Sequence, residues 1–465
     1  MKQTERIKDI DLTPLLNPKS VAVIGASRDP DKVGHVILQN YIDAGYSGKL
    51  FPVNNKTDTI LGLRTYKSIL DIKEKVDLAV IALPAPIVPQ ILEECGKAGV
   101  KSAVVVSGGF AEVGNVDLQN RIVEIAKKYR IAMLGPNCLG VMDPRTRIDT
   151  LFLPTYKLNR PKVGGVSFVS QSGAVGSTIL DLISKEGFGL AKFISYGNAA
   201  YIDEVDILNY LMKDKDTKVI VMYIEGINRG KEFIEVAKKV TKIKPIIVIK
   251  AGATEMGAAA AHSHTAALAG NHEVYEAAFR QFGFSIAKDL SELLYYAKIF
   301  DSENLPEGNR VAIITNGGGT GVLTTDAVYE SGLTLTQLSD ETKNELKKYM
   351  PPIVNIRLPL DLAGDADKER FEKAVDIVSK DPNVDMLIVI TLFQTPGADS
   401  SVAAALIHKK ENMEKPMIVI SPGGDYTQMQ KIMMESGGLP VYDSPMAATK
   451  SLYELYRYAQ YKKNA

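Results

Sequence analysis

Three of the chain's five histidines, His262, His264 and His272, fall in one short run of mostly small residues, ATEMGAAAAHSHTAALAGNHE. Imidazole at such a place can act as a nucleophile or proton carrier near neutral pH. It can also ligate a metal, but no carboxylate or thiol cluster accompanies the His-x-His, so no metal site is expected. A second group, VSQSGAVG, puts Ser170, Ser172 and Gly173 at the start of the segment TILDLISKEG, whose apolar spacing is helical. Hydroxyls and unpaired N–H groups at a helix N-terminus make an anion cradle. A third, GASRDPDKVG, sets Gly25 and Ser27 on a strand-to-helix turn, again suited to phosphate.

These groups need a scaffold, and short Val- and Ile-rich runs alternating with helical segments supply a parallel α/β sheet pattern. SVAVIGAS, KLFPVNN, VDLAVIALP, SAVVVSGG and IAMLGPN read as successive buried strands of a first domain, over residues 1–145. The stretch from Asp143 to Lys162, with three prolines and no helical stripe, reads as a connector. Beyond it lies an internal repeat that divides near DSENLPEGNR, giving domains at 146–300 and 301–465. VSFVSQSGAVGSTILD from Val166 matches VAIITNGGGTGVLTTD from Val311, and KPIIVIKAG matches KPMIVISPG. Only the first copy carries the histidine run, so a core does not require it. Glu225, ending VIVMYIEG, likewise faces an apolar counterpart around Leu392 and Phe393. Two tandem doubly wound domains follow.

Composition removes several alternatives. The chain has 465 residues, 45% of them hydrophobic, and 55 cations balance 55 anions, so there is no bulk charge to draw nucleic acid or anionic membrane. Cys95 and Cys138 form no CxxC motif and suit a reducing compartment. The N-terminus MKQTERIKDIDL has no apolar h-region and no later run approaches membrane-spanning length, so a cytoplasmic protein is expected. The first domain lacks GxGxxG and an acidic residue after its second strand, which disfavours a nicotinamide oxidoreductase. That second strand instead ends Val53, Asn54, Asn55, Lys56, and the cations Arg28, Lys32 and Lys56 suit the ribose 3'-phosphate of a CoA-like ligand.

The ordered series GAS, PVNN, LPAP, SGGF and GPNCLG resembles the CoA-binding domain of the nucleoside-diphosphate-forming acyl-CoA synthetases, the succinyl-CoA synthetase-like superfamily. Within it, the whole chain resembles the alpha subunit of the ADP-forming acetyl-CoA synthetases. The resemblance implies an N-terminal Rossmann-like CoA-binding domain followed by two tandem flavodoxin-like domains, and an acid–thiol ligase activity. It implies CoA contacts from Gly25, Ser27, Arg28, Val53, Asn54, Lys56, Pro84, Ser107 and Gly108, with the thiol brought toward Asn137. The tripeptide Ser263-His264-Thr265 resembles the family's phosphohistidine loop, which makes His264 the phosphorylated residue and Glu225 its hydrogen-bonding partner, with Ser170, Ser172, Gly173 and Asn137 about the phosphate. Ala266 departs from the glycine common after SHT. No ATP-grasp segment is evident, so the resemblance implies a separate beta subunit binding ADP or ATP with Mg, in an α2β2 assembly. A non-catalytic CoA- or acyl-CoA-binding module of the same fold is the rival reading. The acyl group, the direction of reaction and the role of the third domain stay open.

Overall fold

Strands of the first sheet are almost wholly apolar because helices cover both faces, which is the burial a parallel sheet demands. In the computed structural model, which describes residues 10–186, 188–254, 256–257 and 272–464, every residue of Ser20–Ile24, Leu78–Ile81 and Ser102–Val105 is buried. Five parallel strands run in the order Lys49–Val53, Ser20–Ile24, Leu78–Ile81, Ser102–Val105, Ala132–Leu134. The strand order reverses beside Ser20–Ile24, so a crevice opens beyond its carboxyl end, where Gly25 follows. Gly25 has φ +95°, and a Cβ there would lie 2.4 Å from the Ala82 carbonyl oxygen, so no larger residue fits that turn.

The second sheet repeats the plan. Its central strand, Val163–Ser170, has Leu190–Ser195 on one side and Val219–Ile224 on the other, and Ile246–Lys250 and Ser285–Ile286 continue the parallel set. Helix Gly173–Glu186 follows the central strand and lies close to the sheet at Gly176, where a Cβ would come within 2.8 Å of the Phe193 ring. This approach fixes the helix N-terminus over the reversal point. The opposite edge is antiparallel: Gly140–Asp143 pairs with Leu190–Ser195 and then with Ile148–Asp149. The segment expected to be a connector therefore begins as a hairpin of this sheet. Its alternation is too short to register as a strand in sequence, and pairing across the sheet edge stabilises it. One apolar core, including Val21, Val80, Val141, Ile194 and Ile220, runs through both sheets.

Contacts divide the chain into two compact units, one formed by residues up to Lys185 with Gly189–Ile286 and the other by Glu186–Phe188 with residues from Ala287 onward. The second unit is built on Arg310–Thr315, flanked by Thr334–Leu335 and Met386–Ile390, with Met417–Ile420 and Val441–Tyr442 beyond and Leu360–Asp361 also pairing with the central strand. Helix Leu290–Ser302 belongs to it, packing on Pro445–Asn464. Its Lys298, 3% exposed, is held by Glu186 at 2.7 Å and Glu435 at 2.6 Å. The α/β class and the doubly wound plan expected from the sequence are both present.

Candidate functional site

The repeat provides an internal control that sorts scaffold from gain. In both copies the last hydroxyl of the central strand closes its own turn: Ser170 Oγ donates to the Ser172 carbonyl at 2.6 Å, and Thr315 Oγ1 to the Gly317 carbonyl at 3.1 Å. In both, the next side-chain amide ties down the neighbouring strand end. Gln171 Oε1 accepts from the Glu225 and Gly226 N–H groups at 2.8 and 3.1 Å, as Asn316 Oδ1 accepts from Leu392 N–H at 2.8 Å. Ser170, fully buried, is thus matched by a residue of the plain copy. Ser172, Glu225 and Lys250 are not; they correspond to Gly317, Leu392 and Ser421.

Two of these, Ser172 and Glu225, line one cavity. This cavity, of about 320 Å³, is lined by Ser172, Gly173 and Glu225 from the second sheet, by Asn137 and Cys138 from the end of the first, and by Asn198. Ser172 Oγ accepts from the Val175 N–H at 3.3 Å, which caps the helix and leaves the hydroxyl proton free to be donated elsewhere. Glu225, 8% exposed, directly follows strand Val219–Ile224. Burial pushes the Lys250 ammonium pKa down, and the nearby charge of Glu225 opposes that shift. Lys250 Nζ also sits 4.9 Å above the Tyr275 ring. Burial pushes the Cys138 thiol up to about 12, which disfavours the nucleophilic thiolate there. A larger depression of about 540 Å³, lined by Asp206, Lys213 and Asp216 among others, shares no lining residue with this cavity.

Asn137 adopts φ +57°, a conformation asparagine tolerates, and its N–H donates to the Ser107 carbonyl at 2.9 Å. Its side-chain amide donates to Asn198 Oδ1 at 3.2 Å, and Asn198 donates to Glu112 Oε2 at 2.6 Å. Burial alone would raise Glu112, but Asn198 and the N–H groups of Gly109 and Phe110 hold its carboxyl below the usual range. Glu112, Gln171, Asn198 and Lys250 were not singled out from the sequence. For Lys250 the signal was present, because the aligned pair KAG and SPG sets it against a serine. Asn198 meets Glu112 across 86 positions and Gln171 meets Glu225 across 54, pairings that no local pattern announces.

The expected CoA residues lie along the carboxyl ends of the first sheet. Gly25 and Ser27 follow the first strand, and Val53 and Asn54 end the second, with Asn54 Nδ2 donating to Ala26 O at 2.7 Å. Arg28 donates to the Thr59 carbonyl at 2.9 Å, and Lys56 is exposed. Pro84 is exposed before Ala85–Ile87, and Ser107 Oγ donates to Leu83 O. At Gly108 a Cβ would stand 3.2 Å from both Asn137 Oδ1 and Glu112 Oε1, so the missing side chain keeps those oxygens approachable. His264 and His262 lie outside the described residues. His272 begins helix His272–Gln281, with Nε2 3.9 Å from Glu276. Among the described residues no helix is long and apolar enough to cross a membrane.

Helix Glu204–Lys213 opens on a capping box in which Asp203 accepts from Val205 N–H at 3.0 Å. Arg229 binds both Asp203 and Asp206. Glu204, 1% exposed, is pushed up to about 8, first by burial and then by Asp203, against the pull of Arg229. Folding therefore favours the protonated acid: its contribution is full below about pH 4.5 and is lost as pH rises through about 8. Glu204→Gln should flatten that decline, which for one group is at most about 1.4 kcal/mol per pH unit. Melting temperatures across this window check it, and parallel curves for the two proteins would refute it.

Comparison with known proteins agrees with this layout. Family models match in order: a CoA binding domain over residues 19–144, a succinyl-CoA ligase-like flavodoxin domain over 163–300 and a ligase-CoA domain over 311–443. The alpha subunit of ADP-forming acetate–CoA ligase II of Pyrococcus furiosus is 40% identical over 450 residues, covering 96% of this chain and 97% of that protein. The ADP-forming acetate–CoA ligase of Methanocaldococcus jannaschii is 43% identical over 459 residues, but the chain spans only 64% of its length. Among solved structures, a dinucleotide-forming acetyl-coenzyme A synthetase 1 of Ca. Korarchaeum cryptofilum, in complex with phosphate and ADP, superposes with a TM-score of 0.91 at 38% identity, covering 97% of this chain and 98% of that one. With its three domains in the same order and both partners covered almost end to end by the Pyrococcus match, the chain belongs to the family of ADP-forming acetate–CoA ligase alpha subunits.

Proposed function

We propose that this chain is the CoA-binding, phosphohistidine-carrying subunit of an acyl-CoA synthetase, interconverting acyl-CoA, ADP and phosphate with acid, ATP and CoA. The observation that carries this reading is the convergence on one cavity of Asn137, at the end of the CoA-type sheet, with Ser172, Gly173 and Glu225, of which Ser172 and Glu225 have no counterpart in the twin copy. Gly25, Ser27, Arg28, Val53, Asn54 and Lys56 hold the nucleotide end of CoA. Pro84, Ser107 and Gly108 guide the pantetheine arm toward Asn137.

Phosphate, bound by Ser172 Oγ and the helix N–H groups at Gly173, attacks the thioester carbonyl. The C–S bond breaks, the thiolate of CoA leaves and takes up a proton, and an acyl phosphate remains. The His264 imidazole then attacks phosphorus, the P–O bond to the acyl group breaks, and the free carboxylate departs. Glu225 accepts the hydrogen bond of the other ring N–H, which sets the tautomer and offsets the positive charge formed. The phosphoryl group passes to ADP with Mg on an ATP-grasp beta subunit in an α2β2 assembly, and this chain binds no metal of its own. Run in reverse, the same steps activate an acid.

The test joins this chain to its partner subunit and supplies acetyl-CoA, ADP and phosphate, with ATP formation as the readout. Equilibrium dialysis of the isolated chain should show CoA bound and NAD not bound. Binding of CoA without any turnover by the complex would favour the non-catalytic module instead.

A further inference from the structure

The cavity has an apolar side that phosphate chemistry does not use. Val106, Leu139, Phe152 and Leu153 line it along with the polar groups, and among its described lining residues there is no Lys, Arg or His. Phe152 and Leu153 come from the stretch after strand Ile148–Asp149, and that stretch is firmly held. Asn40, 1% exposed, donates its amide to the Leu151 carbonyl at 2.7 Å and the Leu153 carbonyl at 3.1 Å. Arg160 donates to the same Leu153 carbonyl at 2.8 Å and to Asp149 Oδ2 at 2.6 Å, while Asp149 Oδ1 accepts from Leu151 N–H at 3.0 Å. Both carbonyls flanking Phe152 are thus fixed, so its ring and the Leu153 side chain form a built wall.

Resting on the function proposed above, we infer that Phe152 and Leu153 are the acyl-selecting wall of the site, Phe152 limiting the size of the acyl group and the wall as a whole restricting substrates to uncharged acyl chains. An acyl tail ending in a second carboxylate would be stripped of water against apolar carbon and set beside the Glu225 carboxyl, with no cation among the described lining residues. Methylene-sized differences in such a pocket discriminate by roughly 10- to 200-fold.

The experiment uses the complex with its partner subunit and compares kcat/KM for acetate, isobutyrate, phenylacetate and succinate. Phe152→Ala should raise the phenylacetate-to-acetate ratio by roughly 10- to 200-fold, and Leu153→Phe should lower it. Phe152→Leu supplies a milder change in the first direction should the alanine variant fold poorly. Labelling of the chain by radioactive ATP, which needs no acid, should persist in all three. Unchanged ratios in variants that still take label would overturn the assignment of the wall, as would wild-type use of succinate on a par with acetate. A wild-type complex that ligates none of these acids would defeat the underlying functional reading and this one with it.

Discussion

Changing His264 to alanine is expected to remove the phosphorylated form of this chain altogether and to lower turnover of the complex by at least about four orders of magnitude, the scale on which loss of a covalent nucleophile is felt. The label to follow is phosphate from radioactive ATP, retained in base and released in acid, as a phosphoramidate behaves. His262→Ala and His272→Ala should keep it. His272 begins a helix and faces Glu276, a placement that a structural residue satisfies. CoA binding should be untouched by all three changes, because the proposed CoA contacts come from the first sheet. Label persisting in the His264 variant would sink the assignment.

The second large effect is expected at Glu225. Glu225→Gln keeps shape and an acceptor oxygen but removes the charge that would offset imidazolium formation, so the rate of labelling should fall by roughly 10²- to 10⁴-fold. Ordinarily a buried carboxylate is hard to replace without harm to the fold. Here the molecule carries its own precedent: Leu392 occupies the matching strand end in the twin copy, where the preceding side-chain amide makes the same bond to the backbone. Glu225→Leu should therefore fold, retain CoA binding and lose label. A glutamine variant labelled at the wild-type rate would remove Glu225 from the mechanism.

The repeat explains much of what is legible in the sequence. Apolar runs of Val and Ile spaced by helical segments announce a parallel sheet because burial on both faces leaves no room for alternation. The order of small residues at strand ends revealed which sheet resembles a CoA site. Comparing the two copies singled out the histidine run and Glu225, since a residue that one copy lacks is not demanded by the fold. Two serines at a helix start read alike as phosphate ligands, yet Ser170 Oγ closes its own turn just as Thr315 Oγ1 does. Hydroxyl direction depends on a rotamer chosen by neighbours, and the spacing of residues does not encode it.

The stretch after Asp143 shows the opposite limit. Without periodicity it reads as linker, but Asn40 grips its carbonyls from far along the chain, Arg160 grips one of them from within the stretch, and Phe152 and Leu153 line the cavity. What the amino-acid order determined by itself is therefore the α/β plan, the duplication and the family, because these follow from local periodicity and from motifs at strand ends. Which side chains share one cavity, namely Asn137, Ser172, Glu225 and Phe152, was decided only by tertiary structure, since it depends on two sheets sharing one core and on hydrogen bonds between residues more than a hundred positions apart.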